Sequence, residues 1–233
     1  MRFVVGDIHG CYKTFKKLVE EIIQLSKDDK LYLVGDYVDR GPDSKSVLDY
    51  IINLIDEGYS VFPVRGNHEE MLIDAYTNQS PDNFMLWMMN GAEKTLLSYN
   101  IESYSVLGSA CMNELPESHL SFLKELPYYV LLDDYIIVHA GINFEDDNPF
   151  TDYRSMVWCR DCKNDMKKSD GRIIVHGHTP TPLANIERDN FALVESQINI
   201  DTGCVYKGYP GTGNLTAIDL DSHKIYSLKN LDF

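Results

Sequence analysis

The chain has 233 residues, 44% of them apolar, and carries a formal net charge of −15 with an isoelectric point near 4.7. The length suits one large domain or two small ones and supports a sizeable core, while no apolar run is long enough for a membrane-spanning helix. The acidic balance excludes nucleic acid as the main partner, because neutralising phosphates needs a basic face.

The opening residues, MRFVVGDIHG, run straight into polar sequence, without the apolar stretch and cleavage site of a secretory signal. A cytoplasmic location is expected. RFVV reads as a strand, and YKTFKKLVEEIIQL as a helix with Phe15, Leu18, Val19, Ile22 and Ile23 on one face. LYLV is a second strand. Residues 44–57 form a second helix, with Val47, Leu48, Ile51, Ile52 and Ile55 together, and YSVFPV is a third strand. This β-α-β-α-β order with short links favours a parallel sheet. Residues 68–126 read as mostly helical. Strands then follow at 128–132, 135–138, 172–175, 192–200, 214–219 and 224–228, with hairpin turns at Asp133-Asp134 and 219–224. No boundary is visible, so one domain over 1–233 is expected, with a mixed sheet or two packed sheets.

Five cysteines, Cys11, Cys111, Cys159, Cys162 and Cys204, make an odd count in a long chain. They do not form a disulfide framework. Cys159-x-x-Cys162 has no second pair for zinc and no thioredoxin-like strand–helix context, so reduced thiols are expected.

Six apolar strands end alike. They run into Gly6-Asp7-Ile8-His9-Gly10, Gly35-Asp36, Arg65-Gly66-Asn67-His68-Glu69, His139-Ala140-Gly141, His176-Gly177-His178 and Asp201-Thr202-Gly203. In open α/β sheets, ligands bind beyond the carboxyl ends of the strands. If these ends are in register, Asp, His and Asn converge in one cleft. The set holds no thiolate; it suits Mn²⁺, Fe or Zn²⁺, is nitrogen-rich for Mg²⁺ and is wrong for Ca²⁺.

GDIHG, GDYVDRG, RGNHE, HAG and GHTP, in this order from residue 1 to about residue 219, resemble the calcineurin-like metallophosphoesterases. More narrowly they resemble the small bacterial and phage serine/threonine protein phosphatases. The resemblance implies two mixed β-sheets packed face to face and flanked by helices, with two divalent ions, Mn²⁺ ahead of Fe or Zn²⁺. Asp7 and His9 would hold the first ion, Asp36 would bridge, and Asn67, His139 and His178 would hold the second. A bridging hydroxide would attack phosphorus in line. His68 would protonate the leaving oxygen, with Asp39 orienting it. Arg40 and Arg65 would bind phosphate oxygens as guanidinium does best, and Arg160 resembles a third such arginine. Many relatives carry Gly-His-x-His, whereas Pro180 fills the last place here, as in the protein phosphatases.

The implied activity is hydrolysis of phosphomonoesters in a phosphorylated protein or small phosphoester; no oligomerisation signal stands out in the sequence, so a monomer is expected. Symmetrical dinucleoside tetraphosphate hydrolases are the rival; they read GDLVARGP and GNHD where this chain reads GDYVDRGP and GNHE. A non-catalytic binding protein would have lost a ligand or His68. Selectivity falls to loops around 80–115 and 142–170. His176 reads as structural or as support for a ligand. Asp201 serves either a turn or a ligand histidine. Trp87 in MLWMMN reads as core, and His119 and His223 as surface residues. Tyr206 and Tyr209, in the Gly-rich stretch 205–214, could edge the cleft.

Overall fold

A computed structural model describes residues 1–102, 114–186 and 196–233. β1 (Arg2–Val5), β2 (Lys30–Leu33) and β3 (Ser60–Pro63) pair in parallel, joined by α1 (Tyr12–Lys17) and α2 (Ser44–Asp56). β8 (Asn214–Asp219) and β9 (Ile225–Lys229) complete the sheet antiparallel, in the order β3-β2-β1-β8-β9. The second sheet has the order β4-β5-β6-β7. β4 (Tyr129–Leu131) and β5 (Tyr135–Val138) form the hairpin expected at Asp133-Asp134. β6 (Ile173–His176) and β7 (Gln197–Asn199) then run parallel to β5. Residues 192–195 of the seventh expected strand lie outside the described residues.

The strand period of two divides the core into layers. Val4, Tyr32 and Ile218 of the first sheet pack against Tyr135, Ile137 and Val175 of the second, filling the space between the sheets. Phe3, Val5, Leu31 and Leu33 point the other way, onto Phe15, Val47, Leu48 and Ile51 of α1 and α2. Ile136, Val138 and Ile174 cover the outer face of the second sheet with Phe144 and Met156. Two mixed sheets with flanking helices result, as the sequence implied.

The expected helix over 12–25 is only partly α-helical. After α1 the chain makes a π-helical turn, Leu18–Ile22, closed by Ile23 N–H on Leu18 O at 2.9 Å. The wider turn buries Leu18, Val19 and Ile23 and leaves Ile22 in solvent. In α2, Leu54 is buried where Ile55 was expected, and Asp43 caps the helix by accepting from Ser46 N–H. Residues 67–125 supply α3 (Asn67–Asn78), α4 (Pro81–Met89), α5 (Ala92–Ser98) and α6 (Glu117–Glu125). Among the described residues, no helix is long and apolar enough to cross a membrane.

Candidate metal centre

The carboxyl ends of β1, β2, β3, β5 and β6 meet. Asp36 O accepts from His9 N–H at 2.8 Å, joining the turns after β1 and β2. His178 N–H donates to Asp7 Oδ2 at 3.0 Å, joining β6 to β1 across the two sheets. That approach requires Gly177, because any side chain there would collide with the Asp7 carboxylate. His9, Asp36, Asp39, Arg40 and His178 all have positive φ, between 45° and 70°. Left-handed backbone is disfavoured for such residues, and it persists where the surroundings over-determine it, as at functional sites.

Two buried donor groups share Asp36. His9, Asp36 and His68 form one; Asp36, His139 and His178 form the other, with the ligand atoms of each within 4.8 Å of one another. His9 Nε2 is 3.5 Å from Asp36 Oδ2, and His139 Nε2 is 3.5 Å from Asp36 Oδ1. Asn67 Oδ1 joins the second group, 2.9 Å from His139 Nε2 and 3.0 Å from His178 Nδ1. The backbone sets the tautomers. His9 Nδ1 faces Val38 O and His139 Nδ1 faces Val34 O, both at 2.9 Å. Each Nδ1 therefore carries the proton, and each Nε2 turns a lone pair inward, as metal-ligating imidazoles do.

The electrostatics ask for cations. Burial, reinforced by the Asp201 and Asp36 charges, pushes the Asp7 carboxyl well above the ordinary carboxylate range. Asp36 is also fully buried, but the His139, His68 and His9 imidazoles together outweigh burial and hold it low. Burial above all pulls His178 down to about 3, so it stands neutral with electron pairs to donate. Nε2 of both His68 and His178 is buried without a hydrogen-bond partner. Carboxylates that repel one another and neutral imidazoles with inward lone pairs fit divalent cations with nitrogen and oxygen ligands.

His68 stands apart by its second partner. Its Nδ1 lies 2.7 Å from Asp39 Oδ2, while Nε2 faces the centre, 4.0 Å from Asp36 Oδ2. Burial opposes its charge, but the Asp36 charge and the Asp39 hydrogen bond outweigh burial, and its pKa is raised. Asp39 is itself gripped: Trp87 Nε1–H donates to it at 2.9 Å and the Thr95 hydroxyl at 2.7 Å. Trp87 is fully buried, as expected of core, yet it also aims the Asp39–His68 pair.

Glu69 is a residue whose part the sequence did not reveal. Its buried carboxylate accepts from the N–H groups of Asp36 at 2.8 Å, Tyr37 at 2.7 Å and Gly66 at 2.9 Å. It thereby fixes the turn after β2 and the start of α3 together. Burial raises it to about 7. Gly91 also serves the site: at φ 100° its carbonyl accepts from Arg40 N–H, and a side chain there would strike Arg40 Cγ.

The three arginines are placed differently. Arg40 Nη1 donates to His9 Nε2 at 2.8 Å, at the mouth of the first donor group. Arg160 is exposed, and its charge helps to lower His178. The Arg65 guanidinium is engaged elsewhere: Nη1 donates to Glu70 and Tyr128, and Nη2 to the carbonyls of Leu123 and Lys124. The structure does not bring it to the donor groups as the sequence led one to expect; it ties α3 to the end of α6.

Other expectations need correction. Cys159 and Cys162 form a disulfide rather than two thiols, because the turn after α7 (Tyr153–Trp158) brings their Cα atoms to 5.8 Å. Cys111 lies outside the described residues. His119 is buried, not on the surface: Tyr99 Oη lies 2.6 Å from its Nδ1 and Asp49 Oδ1 lies 3.0 Å from its Nε2. His176 belongs to neither donor group. Of its two expected roles Asp201 takes the turn: it accepts from Gly203 N–H and lies against Asp7.

Residues 3–201 match the calcineurin-like phosphoesterase family, and this chain belongs to that family. It is 30% identical to the asymmetrical bis(5'-nucleosyl)-tetraphosphatase PrpE of a Geobacillus species, over 88% of this chain and 86% of the relative. Its fold is similar to a solved chain provisionally described as a diadenosine tetraphosphatase, with a TM-score of 0.67 at 20% identity, covering 100% of this chain and 94% of that one. It is also similar to a serine/threonine protein phosphatase from Saccharomyces cerevisiae, with a TM-score of 0.63 at 14% identity, covering 100% of this chain and 80% of that one. The protein is thus a metallophosphoesterase, a hydrolase whose family works with a dinuclear metal centre.

Proposed function

We propose that this chain hydrolyses dinucleoside tetraphosphates asymmetrically, releasing a nucleoside triphosphate and a nucleoside monophosphate. The similarity to relatives of that name over 88% of the chain carries this reading. The absence of GDLVARGP and GNHD argues against the symmetrical hydrolases; it does not argue against an asymmetrical one.

Asp7 and His9 would hold one ion, Asn67, His139 and His178 the other, with Asp36 between them; the mixed imidazole and carboxylate set suits Mn²⁺, Fe or Zn²⁺. Such ions supply positive charge to the phosphoryl oxygens and acidify a water. The chain's own residues do the rest. Arg40 at the mouth and Arg160 at the rim receive non-bridging phosphate oxygens. As water oxygen bonds to phosphorus, the bridging oxygen leaves with its electron pair. His68 Nε2, facing the centre, hands that oxygen a proton, and Asp39, 2.7 Å from Nδ1, keeps the imidazole aimed and charged.

A protein serine/threonine phosphatase is the second reading, favoured by GDYVDRG and the intact Asp39–His68 pair. Chromatography of products from diadenosine tetraphosphate, beside phosphate release from a phosphothreonine peptide, separates the two. ATP with AMP is expected. Two molecules of ADP would overturn the asymmetry, and turnover of the peptide alone would make the second reading correct.

A further inference from the structure

Each donor group has an aromatic side chain beside it that the phosphate chemistry does not use. Trp158 ends α7 and is 36% exposed, with its ring edge-on to His178 at 6.4 Å. The helix that presents it is tied to the centre, because Met156 O accepts from Ala140 N–H, next to His139. The Cys159–Cys162 disulfide closes the chain immediately after it. On the other group, the Arg40 guanidinium lies 5.6 Å from the centroid of Tyr206, whose ring meets Tyr209 edge to face at 5.9 Å. Tyr209 is 68% exposed. The loop is held by its own hydrogen bonds, with the Thr212 hydroxyl donating to Tyr206 O and Thr212 N–H to Tyr209 O.

An exposed indole beside His178 and a phenol pair beside Arg40, half-buried at Tyr206 and exposed at Tyr209, flank different donor groups, with Asp36 shared between the groups. A phosphopeptide brings no requirement for two flat apolar surfaces. A dinucleoside polyphosphate does, because it carries one base at each end of its phosphate chain. Aromatic side chains bind bases by stacking, which tolerates any base and adds to the electrostatic hold on phosphate.

We propose that Trp158 and the Tyr206–Tyr209 pair are two nucleobase platforms, one for each end of a dinucleoside polyphosphate whose phosphates lie across the donor groups. The proposal rests on the dinucleotide reading above and assigns its two base subsites. The platforms set affinity and substrate choice, while the bond broken is that of the phosphate chain.

The chain has two tryptophans, and Trp87 is fully buried, so quenching of fluorescence by a stacked base reports on Trp158. A hydrolysis-resistant methylene analogue of diadenosine tetraphosphate should quench the wild-type protein, inorganic tripolyphosphate should not, and Trp158→Ala should abolish the response. In Trp158→Ala and in Tyr209→Ala, the ratio of kcat/KM for diadenosine tetraphosphate to that for glycerol phosphate should fall roughly 5- to 100-fold, mainly through KM. Equal quenching by tripolyphosphate, or an unchanged ratio in both variants, would overturn the platforms even if the dinucleotide is cleaved. Quenching by the analogue without turnover of the natural dinucleotide would instead leave the platforms standing and overturn the proposed reaction.

Discussion

His9, Asp36, Asp39 and Arg40 follow β1 and β2 on left-handed backbone, whereas on the second side His178 does so but His139 follows β5 directly without a positive φ. The first side is held by many hands. Glu69 receives the N–H groups of Asp36, Tyr37 and Val38 at the Asp36 turn and that of Gly66 at the start of α3, and Trp87, Thr95 and Ser44 close around Asp39. The second side borrows its order from the first, since His139 leans on Val34 O and His178 N–H on Asp7. Damage to the first side should therefore spread to the second, while damage to the second should stay local.

Asp36→Asn should have the largest effect, because both donor groups use this carboxylate. Metal content and turnover should fall together, the latter by about 10³-fold or more; full metal content measured by atomic absorption would break the shared-ligand account. Next comes His68→Asn, which should keep the metal yet slow a substrate with a poor leaving group by about 10²–10⁴-fold, and slow an activated aryl phosphate far less. Equal losses on both substrates would remove His68 from the proton-donor role.

Glu69→Ala sharpens the comparison through stability. Leaving four buried N–H groups unpaired should cost on the order of 4 kcal/mol or more in urea denaturation and weaken metal binding on both sides. Trp87→Phe keeps the ring but removes the N–H on Asp39. A loss of about 1 kcal/mol is expected, with reduced turnover confined to poor leaving groups.

The smallest effect lies away from the centre. Burial holds the His119 imidazole below its ordinary 6.5, outweighing the pull of Asp49. The unfolded chain then binds this proton at higher pH than the folded one. The stability is fully present above about 6.5 and is lost as pH falls toward the lower folded value. His119→Gln should flatten that part of the stability–pH curve; an unchanged slope would mean that His119 titrates alike in both states.

The strand ends were legible because a run such as LYLV stopping at Gly-Asp has a local cause, and six such ends in one chain have few common explanations. The layers were legible for the same reason, since a period of two fixes which side of β1 or β5 is buried. Glu69 and Trp87 were harder to read because their roles depend on where α3 to α5 fold back, and no local pattern states that. Arg65 shows the reverse: RGNHE placed it next to the ligands in sequence, yet its guanidinium points to α6. His119 looked exposed only because its partners, Asp49 and Tyr99, lie 70 and 20 residues away. The disulfide escaped because an odd cysteine count speaks to frameworks, not to one pair closing a single turn.

The most direct test is to count Mn²⁺ bound by metal-stripped protein with calorimetry, in the wild type, His9→Ala and His178→Ala. Two ions per wild-type chain are expected, with His178→Ala losing one and keeping the other, and His9→Ala losing its own ion and weakening the second. A single ion in the wild type, or two in either variant, would contradict a centre built from two donor groups around Asp36.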